Sequence, residues 1–396
     1  MNAYYPTVPA SSNAPTAYAR AFAIVQESRS ARFLQRLEQL PSGSGQLPAE
    51  TQQSMQSACD QNAGAFEALE QAARLKLCRF PVDYRPGWNA LLPHLRLLQQ
   101  CAALELCRGV LAEQKGDLDS ALECTSRILQ LSAALNSEPD LISVLIQRRI
   151  EFAASELLRW LLNHRQLSDP QITELHEMFK GAERKNQVER ALISDRCFVV
   201  ATFDSSSGQI LDTIDPGYSP RFGAILGLQV LRVSGRFKRD EMRYLEDVSE
   251  CQKAILLSLP SALDRLEQIS QTAKQEAVPK KFIITGMFLP PLVKGLRQNA
   301  VGAVRLSLLQ TALALEQYRL AFGRLPNSLA SLCPRFLSTV PTDPFGKKEI
   351  LYRREPQGYV VYSVGPDRHD NGGIQQLPLE AKIDYQDRDI IFSVAR

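Results

Sequence analysis

Apolar residues along this chain recur mostly at three- and four-residue steps, and they alternate only near its end. Leu95, Leu98, Leu104 and Leu111 form one stripe within LRLLQQCAALELCRGVLAEQ, the spacing that gathers side chains on one face of a helix. Gly116 ends that helix, and Asp117, a good N-cap residue, opens DLDSALECTSRILQLSAAL. Pro139 takes a first-turn position for PDLISVLIQRRIEFAASELLRWLLNH, and Asp169 caps DPQITELHEMFKGAERKN. Short turns join these helices, which makes them antiparallel neighbours, or helical hairpins. The hairpin around QKGDLDSALE resembles a tetratricopeptide-type turn, without the period of about 34 residues that such an array requires.

The rest of the chain is read the same way. Residues 1–17, rich in Pro, Ser and Asn, form a flexible arm. Helical spacing runs over 18–39 through Phe22, Val25, Phe33, Leu34 and Leu37, breaks at PSGSGQLP, and returns over 51–77. FPVDYRPGWNALLPHL is a proline-punctuated loop with aromatic anchors. Residues 204–235 read as irregular, with Asp212, Asp215, Pro216 and Gly217 as turn chemistry and a ligand loop as the alternative. Helices resume over 236–259 and 260–275. The strongest apolar run, FIITGMFLPPLV, is broken by Pro290 and Pro291. It reads as a buried connector, with a membrane-surface loop as the alternative.

From Ala300 to Phe322 the pattern changes. Val301, Val304, Leu308, Leu315, Tyr318 and Phe322 mark one face, while Leu306, Leu309, Leu313 and Leu320 mark a second. Two stripes require burial on two sides, so this helix joins the helical part to whatever follows. Gly323 supplies its left-handed stop and Pro326 prevents continuation. SLASLCPRFL is a short second helix, and PTDPFG is a turn. ILYRRE and GYVVYSVG alternate as two strands joined by PQG, and DIIFSVA is a third. The fold class is therefore mainly α, helical hairpins over 18–299, with a small α+β module over 300–396 that shares the helix at 300–322.

Composition narrows the function classes. A chain of 396 residues is too long for one ordinary domain. The net charge of +3 has no run of five or six basic residues behind it, and aromatic residues make up only 7%, so nucleic acid is not an expected partner. No window of about 18 apolar residues predicts a membrane span, and the N-terminus lacks the basic and apolar regions of a signal peptide. The eight cysteines include no C-x-x-C pair and read as small buried apolar residues. Their even count permits disulfides without arguing for them.

The stretch ALEQYRLAFGRLPNSLASLCPRFLSTVPTDPFG, followed by GYVVYSVGPD and DRDI, resembles the globular part of the major pseudopilin of bacterial type II secretion systems. That family shows the same order: a helix ending in G-x-x-P, a short helix, P-x-D-P-[FW]-G, an aromatic hairpin and S-x-G-x-D. The resemblance covers about residues 300–396. The whole chain resembles uncharacterised bacterial proteins that carry this tail after a helical region. The resemblance implies a calcium ion at the loop after S-x-G-x-D, held by carboxylates and main-chain carbonyls. The matching positions are Ser363, Val364 and Asp367, then Asp387 and Asp389, with Asp370 and Asn371 nearby. The hydrophobic anchor helix that opens a pseudopilin has no counterpart here. The polar arm at 1–17 is consistent with an upstream anchor trimmed from this chain.

Motifs for catalysis do not occur: G-x-S-x-G, the P-loop, G-x-G-x-x-G and H-E-x-x-H are all missing. LHEMFK holds His176 and Glu177 without a second histidine, and His94 and His164 read as hydrogen-bonded structural residues. Glu151 and Glu156 are placed to pair with Arg148, Arg149 and Arg159 as an ion network. The expected role is a non-catalytic structural or protein-interaction protein of the bacterial cell envelope, outside the cytoplasm, with a calcium-stabilised tail. The alternatives are a cytoplasmic helical scaffold with the tail as a folding cap, and a hydrolase with an acidic cleft in the helical domain.

Overall fold

The structure is a computed structural model. It describes residues 8–9, 13–37, 39–41, 43–75, 77–180, 186–214, 222–277, 282–374 and 388–396. Among these residues the chain is mainly helical, with a small antiparallel sheet at the end. The helices are α1 (Pro15–Glu27), α2 (Ala31–Arg36), α3 (Ala49–Gln61), α4 (Ala63–Ala73), α5 (Pro93–Gln114), α6 (Leu118–Ala133), α7 (Leu141–His164), α8 (Asp169–Lys180), α9 (Asn186–Asp204), α10 (Ser207–Ile214), α11 (Phe222–Val233), α12 (Arg236–Ala254), α13 (Leu259–Ala277) and α14 (Ile283–Phe322). The strands are β1 (Leu351–Glu355), β2 (Gly358–Ser363) and β3 (Ile390–Ala395), in the order β1-β2-β3.

The expected hairpins form: α5 packs on α6, and α6 on α7. Asp117 caps α6 by accepting the Ser120 N–H at 3.1 Å. Two starts shift slightly. Asp140, not Pro139, caps α7 through the Ser143 N–H at 2.7 Å. Asp169 is the first residue of α8, and Ser168 before it donates its N–H to Gln171 at 2.9 Å. The helical reading of 18–39 and 51–77 resolves into two pairs, α1–α2 and α3–α4. SLASLCPRFL contains one short 3-10 turn, Leu329–Leu332.

Two regions differ from expectation. The 204–235 stretch, expected to be irregular, contains α10 and α11, whose turn-forming Ser and Gly residues are overridden by packing on α9 and α12; Asp215, Pro216 and Gly217 lie outside the described residues. The apolar connector is not broken at its prolines: Pro290 and Pro291 lie inside the 40-residue α14. Asp240 of α12 caps this helix from outside, accepting the N–H groups of Ile284 at 2.8 Å and Thr285 at 3.0 Å. Around the prolines Leu289, Leu292 and Val293 are buried. The cap and this burial offset the cost of the two prolines, roughly 3 kcal/mol for each that interrupts the helix interior.

α14 is about 60 Å long at 1.5 Å per residue, and it serves two cores. Its first half packs with α12 and α13 around Tyr244, Val248 and Leu266, in a core that α9 joins through α12. Its second half packs with α7 and α8 on one side and with β2 and β3 on the other, as its two stripes require. Tyr359 of β2 reaches it, donating its hydroxyl to the Ala312 carbonyl at 3.1 Å. At Gly358 the strands come so close that a Cβ would stand 1.8 Å from the Val394 carbonyl oxygen.

A side chain of α7 meets the outer edge of β3 near its end. Asn163, near the end of α7, accepts the Ala395 N–H at 2.7 Å and donates to the Ser393 carbonyl at 3.2 Å. This amide thus satisfies two backbone groups that an open edge would expose.

Candidate functional site

The PTDPFG turn and the S-x-G segment meet at Asp343. Its side chain is 1% exposed. One carboxylate oxygen accepts the Phe345 N–H at 2.9 Å and the Ser363 hydroxyl at 2.8 Å. The other accepts the Val364 N–H at 2.9 Å. Ser363 in turn accepts the Gly365 N–H at 3.1 Å. Gly365 has φ +70°, and a Cβ there would lie 2.0 Å from the Arg388 carbonyl oxygen, so this turn requires glycine. Both motifs are visible in the sequence, but their meeting through Asp343 is not, since 20 residues separate it from Ser363.

The second part of the site is the loop 367–373 with Asp389. Asp389 accepts the N–H groups of Asn371 at 3.2 Å and Gly373 at 2.7 Å. Asp367 accepts the His369 N–H at 3.1 Å, and Asp370 accepts the Gly372 N–H at 2.8 Å. Burial pushes the Asp389 carboxyl above its usual range, and the nearby charges of Asp370 and Asp367 add to the push against the two amide hydrogen bonds. Arg368 turns away from these acids and bonds Asp264 of α13 at 2.6 Å, beside Lys347, which reaches the same carboxylate at 2.6 Å.

The loop therefore gathers Asp367, Asp370 and Asp389. Ser363 and Val364 face Asp343 through their hydroxyl and N–H instead, and Asp387 lies outside the described residues. Among the described residues no three Asp, Glu, His or Cys side chains converge closely enough to hold a metal ion. Calcium takes six to eight oxygens; as folded the three carboxylates accept backbone amides and the Asn371 side chain, so the ion would fit here only after the loop rearranges around it.

In the helical body the buried acids act as clamps between elements. The expected pairs form, Arg148–Glu151 and Arg159–Glu156, both at 2.7 Å. Arg159 also donates to the carbonyls of Leu40 at 2.7 Å and Pro41 at 3.2 Å, and Glu156 accepts the Leu40 N–H at 3.1 Å. Other clamps carry no local sequence signal, because their partners come from distant elements. Glu138 pairs with His94 at 2.7 Å and accepts the Ser143 hydroxyl. Glu113 accepts the Trp160 indole N–H at 3.1 Å and Arg165 at 2.8 Å. His164, by contrast, bonds the Trp160 carbonyl one turn back in its own helix at 2.9 Å. All eight cysteines are free thiols, and Cys101, Cys107, Cys124 and Cys251 are buried.

Asp195 of α9 is the clamp with a readable titration. It accepts the Trp88 indole N–H at 3.2 Å and the Tyr244 hydroxyl. Burial raises its carboxyl from 3.8 to about 6 against those two bonds. The folded protein holds this proton more tightly than the unfolded chain, so the stability it contributes is fully present below pH 3.8 and lost as pH rises through 6. At about 1.36 kcal/mol per pH unit of separation, the loss approaches ~3 kcal/mol. Denaturant titrations of the wild type and Asp195→Asn at pH 4 and pH 7 are expected to show the wild type losing ground to the variant as pH rises. A constant gap between the two would show that Asp195 titrates normally.

The chain matches no protein-family model, no curated protein and no solved structure.

Proposed function

We propose that this chain is a non-catalytic structural or protein-interaction component of the bacterial cell envelope, a helical body bearing a pseudopilin-like tail. The observation that carries the reading is the Asp343 knot. The two motif segments on which the resemblance rests, PTDPFG and S-x-G, are one buried unit rather than two separate turns. The helical body supports the non-catalytic part. Its buried acids Glu113, Glu138, Glu151, Glu156, Asp195 and Asp240 each bind groups that fix one element to another or one turn to the next.

Calcium enters the proposal as a stabiliser of the loop between Asp367 and Asp389. Asp367, Asp370 and Asp389 would exchange amide partners for the ion, whose charge would offset the burial, and secondarily the neighbouring carboxylates, that raise the Asp389 carboxyl. The test is calorimetric titration of metal-stripped protein with calcium, beside an Asp367→Ala/Asp389→Ala control. Saturable heat that the control loses, with melting raised by calcium, is the expected result. At a hundredfold excess over Kd the stabilisation amounts to about 2.7 kcal/mol. No heat at millimolar calcium would overturn the calcium-stabilised tail, leaving the envelope location to the motif resemblance.

A further inference from the structure

α11 is packed from one side. It meets α10 and α12, with Leu228 buried and Leu231 half-buried against them. On the opposite face Leu226, Val230 and Val233 follow at i, i+4 and i+7, and they are 56%, 60% and 89% exposed. Gly223 and Gly227 share that face, where an added Cβ would meet nothing within 4 Å. The face is thus a smooth apolar strip with no charge on it.

Cations follow the strip directly in the chain, on the first turn of α12, which packs against α11. Gly235, at φ +70°, turns the chain into α12, and Arg236, Lys238 and Arg239 on its first turn are exposed. From Phe222 to Arg239 there are four basic residues and no acid. Arg232, the fourth, is drawn inward, donating to the Phe203 carbonyl at 3.1 Å and lying over the Phe237 ring at 4.7 Å. Lys238 shares its charge with Glu241 at 2.7 Å and lies near the exposed Asp204, which leaves Arg236 and Arg239 as the strongest part of the patch. The overall charge of +3 conceals this local excess.

We propose that α11 and the start of α12 dock the protein on the surface of an anionic lipid bilayer. Leu226, Val230 and Val233 enter the headgroup boundary, while Arg236, Lys238 and Arg239 meet the lipid phosphates. Charge complementarity selects this occupant. A second copy meeting the face about a twofold axis would bring two sets of the same cations together. No helix among the described residues is long and apolar enough to cross a membrane, so the contact is a surface one. The proposal does not depend on the reading of the tail.

The experiment is co-sedimentation of the full chain with phosphatidylcholine vesicles and with vesicles enriched in phosphatidylserine. Binding is expected to be at least ~10-fold tighter to the anionic vesicles and to weaken steeply as salt is raised. Val233→Asp and the pair Arg236→Glu/Arg239→Glu are each expected to weaken it at least ~10-fold. All three positions are exposed, and thermal melting of each variant checks that the fold is kept. Equal binding to both vesicle types, no binding to either, or variants that bind like the wild type would each overturn the proposal. So would a dimer, seen by light scattering, that Val233→Asp dissolves, because the strip would then be a self-association face.

Discussion

Replacing Asp343 with Ala is expected to destabilise the C-terminal module by about 3–5 kcal/mol, because it strands three buried donors at once. The Phe345 and Val364 N–H groups and the Ser363 hydroxyl all lose their acceptor, and water has little access to a side chain that is 1% exposed. Ser363→Ala keeps the carboxylate bound by the two amides but strands the buried Gly365 N–H that the hydroxyl accepts, so its cost is about 2 kcal/mol. Asp343→Asn falls between them, since the amide keeps one acceptor and turns an NH2 toward a donor. Hydrogen exchange over β1 and β2, followed with chemical denaturation, reads the module directly. Equal protection in Asp343→Ala and the wild type would show that the knot contributes nothing.

Glu156→Leu and Arg159→Met are each expected to cost about 3–5 kcal/mol, and the double variant is expected to cost less than their sum by about 2 kcal/mol or more. Either single change leaves its partner as an uncompensated charge: Arg159 and Glu156 are 2% and 4% exposed. The double change removes both charges. It still strands the Leu40 N–H and the carbonyls of Leu40 and Pro41, which the pair now satisfies, so full recovery is not expected. Denaturation midpoints of the four proteins give the coupling. Strict additivity would mean that the two side chains act independently despite their 2.7 Å contact.

The parts of this fold that were legible in sequence are those decided within a few residues. The α5–α7 hairpins follow from leucine spacing and from Asp117 at an N-cap. The end of α14 follows from Gly323, which adopts φ +67° as its C-cap. The strands follow from alternation, and Ile390, Phe392 and Val394 are the buried set on β3. What escaped was decided by partners far along the chain. Pro290 and Pro291 break a helix on local grounds, and the cap that overrides them comes from Asp240, 44 residues before Ile284. The Ser and Gly residues around α10 and α11 favour turns until α9 and α12 are present to pack on. In the candidate site the acids Asp367, Asp370 and Asp389 do come to one loop. The residue that organises the neighbouring turn, Asp343, was visible only as part of a turn motif, because its hydrogen-bond partners are set by the tertiary fold.

The single amide at the edge of β3 bears on the order in which the protein can fold. Asn163 and Ala395 are 232 residues apart, so α7 leaves the ribosome long before the strand it must seal. Until then the Asn163 side chain has no strand to bind, and β2 has no neighbour on that side. Closure of the sheet is therefore among the last events of folding, and it joins segments of very high sequence separation, the kind of contact that forms slowly. The helical hairpins, built from local contacts, can assemble during synthesis, and the small module then closes on a scaffold already in place.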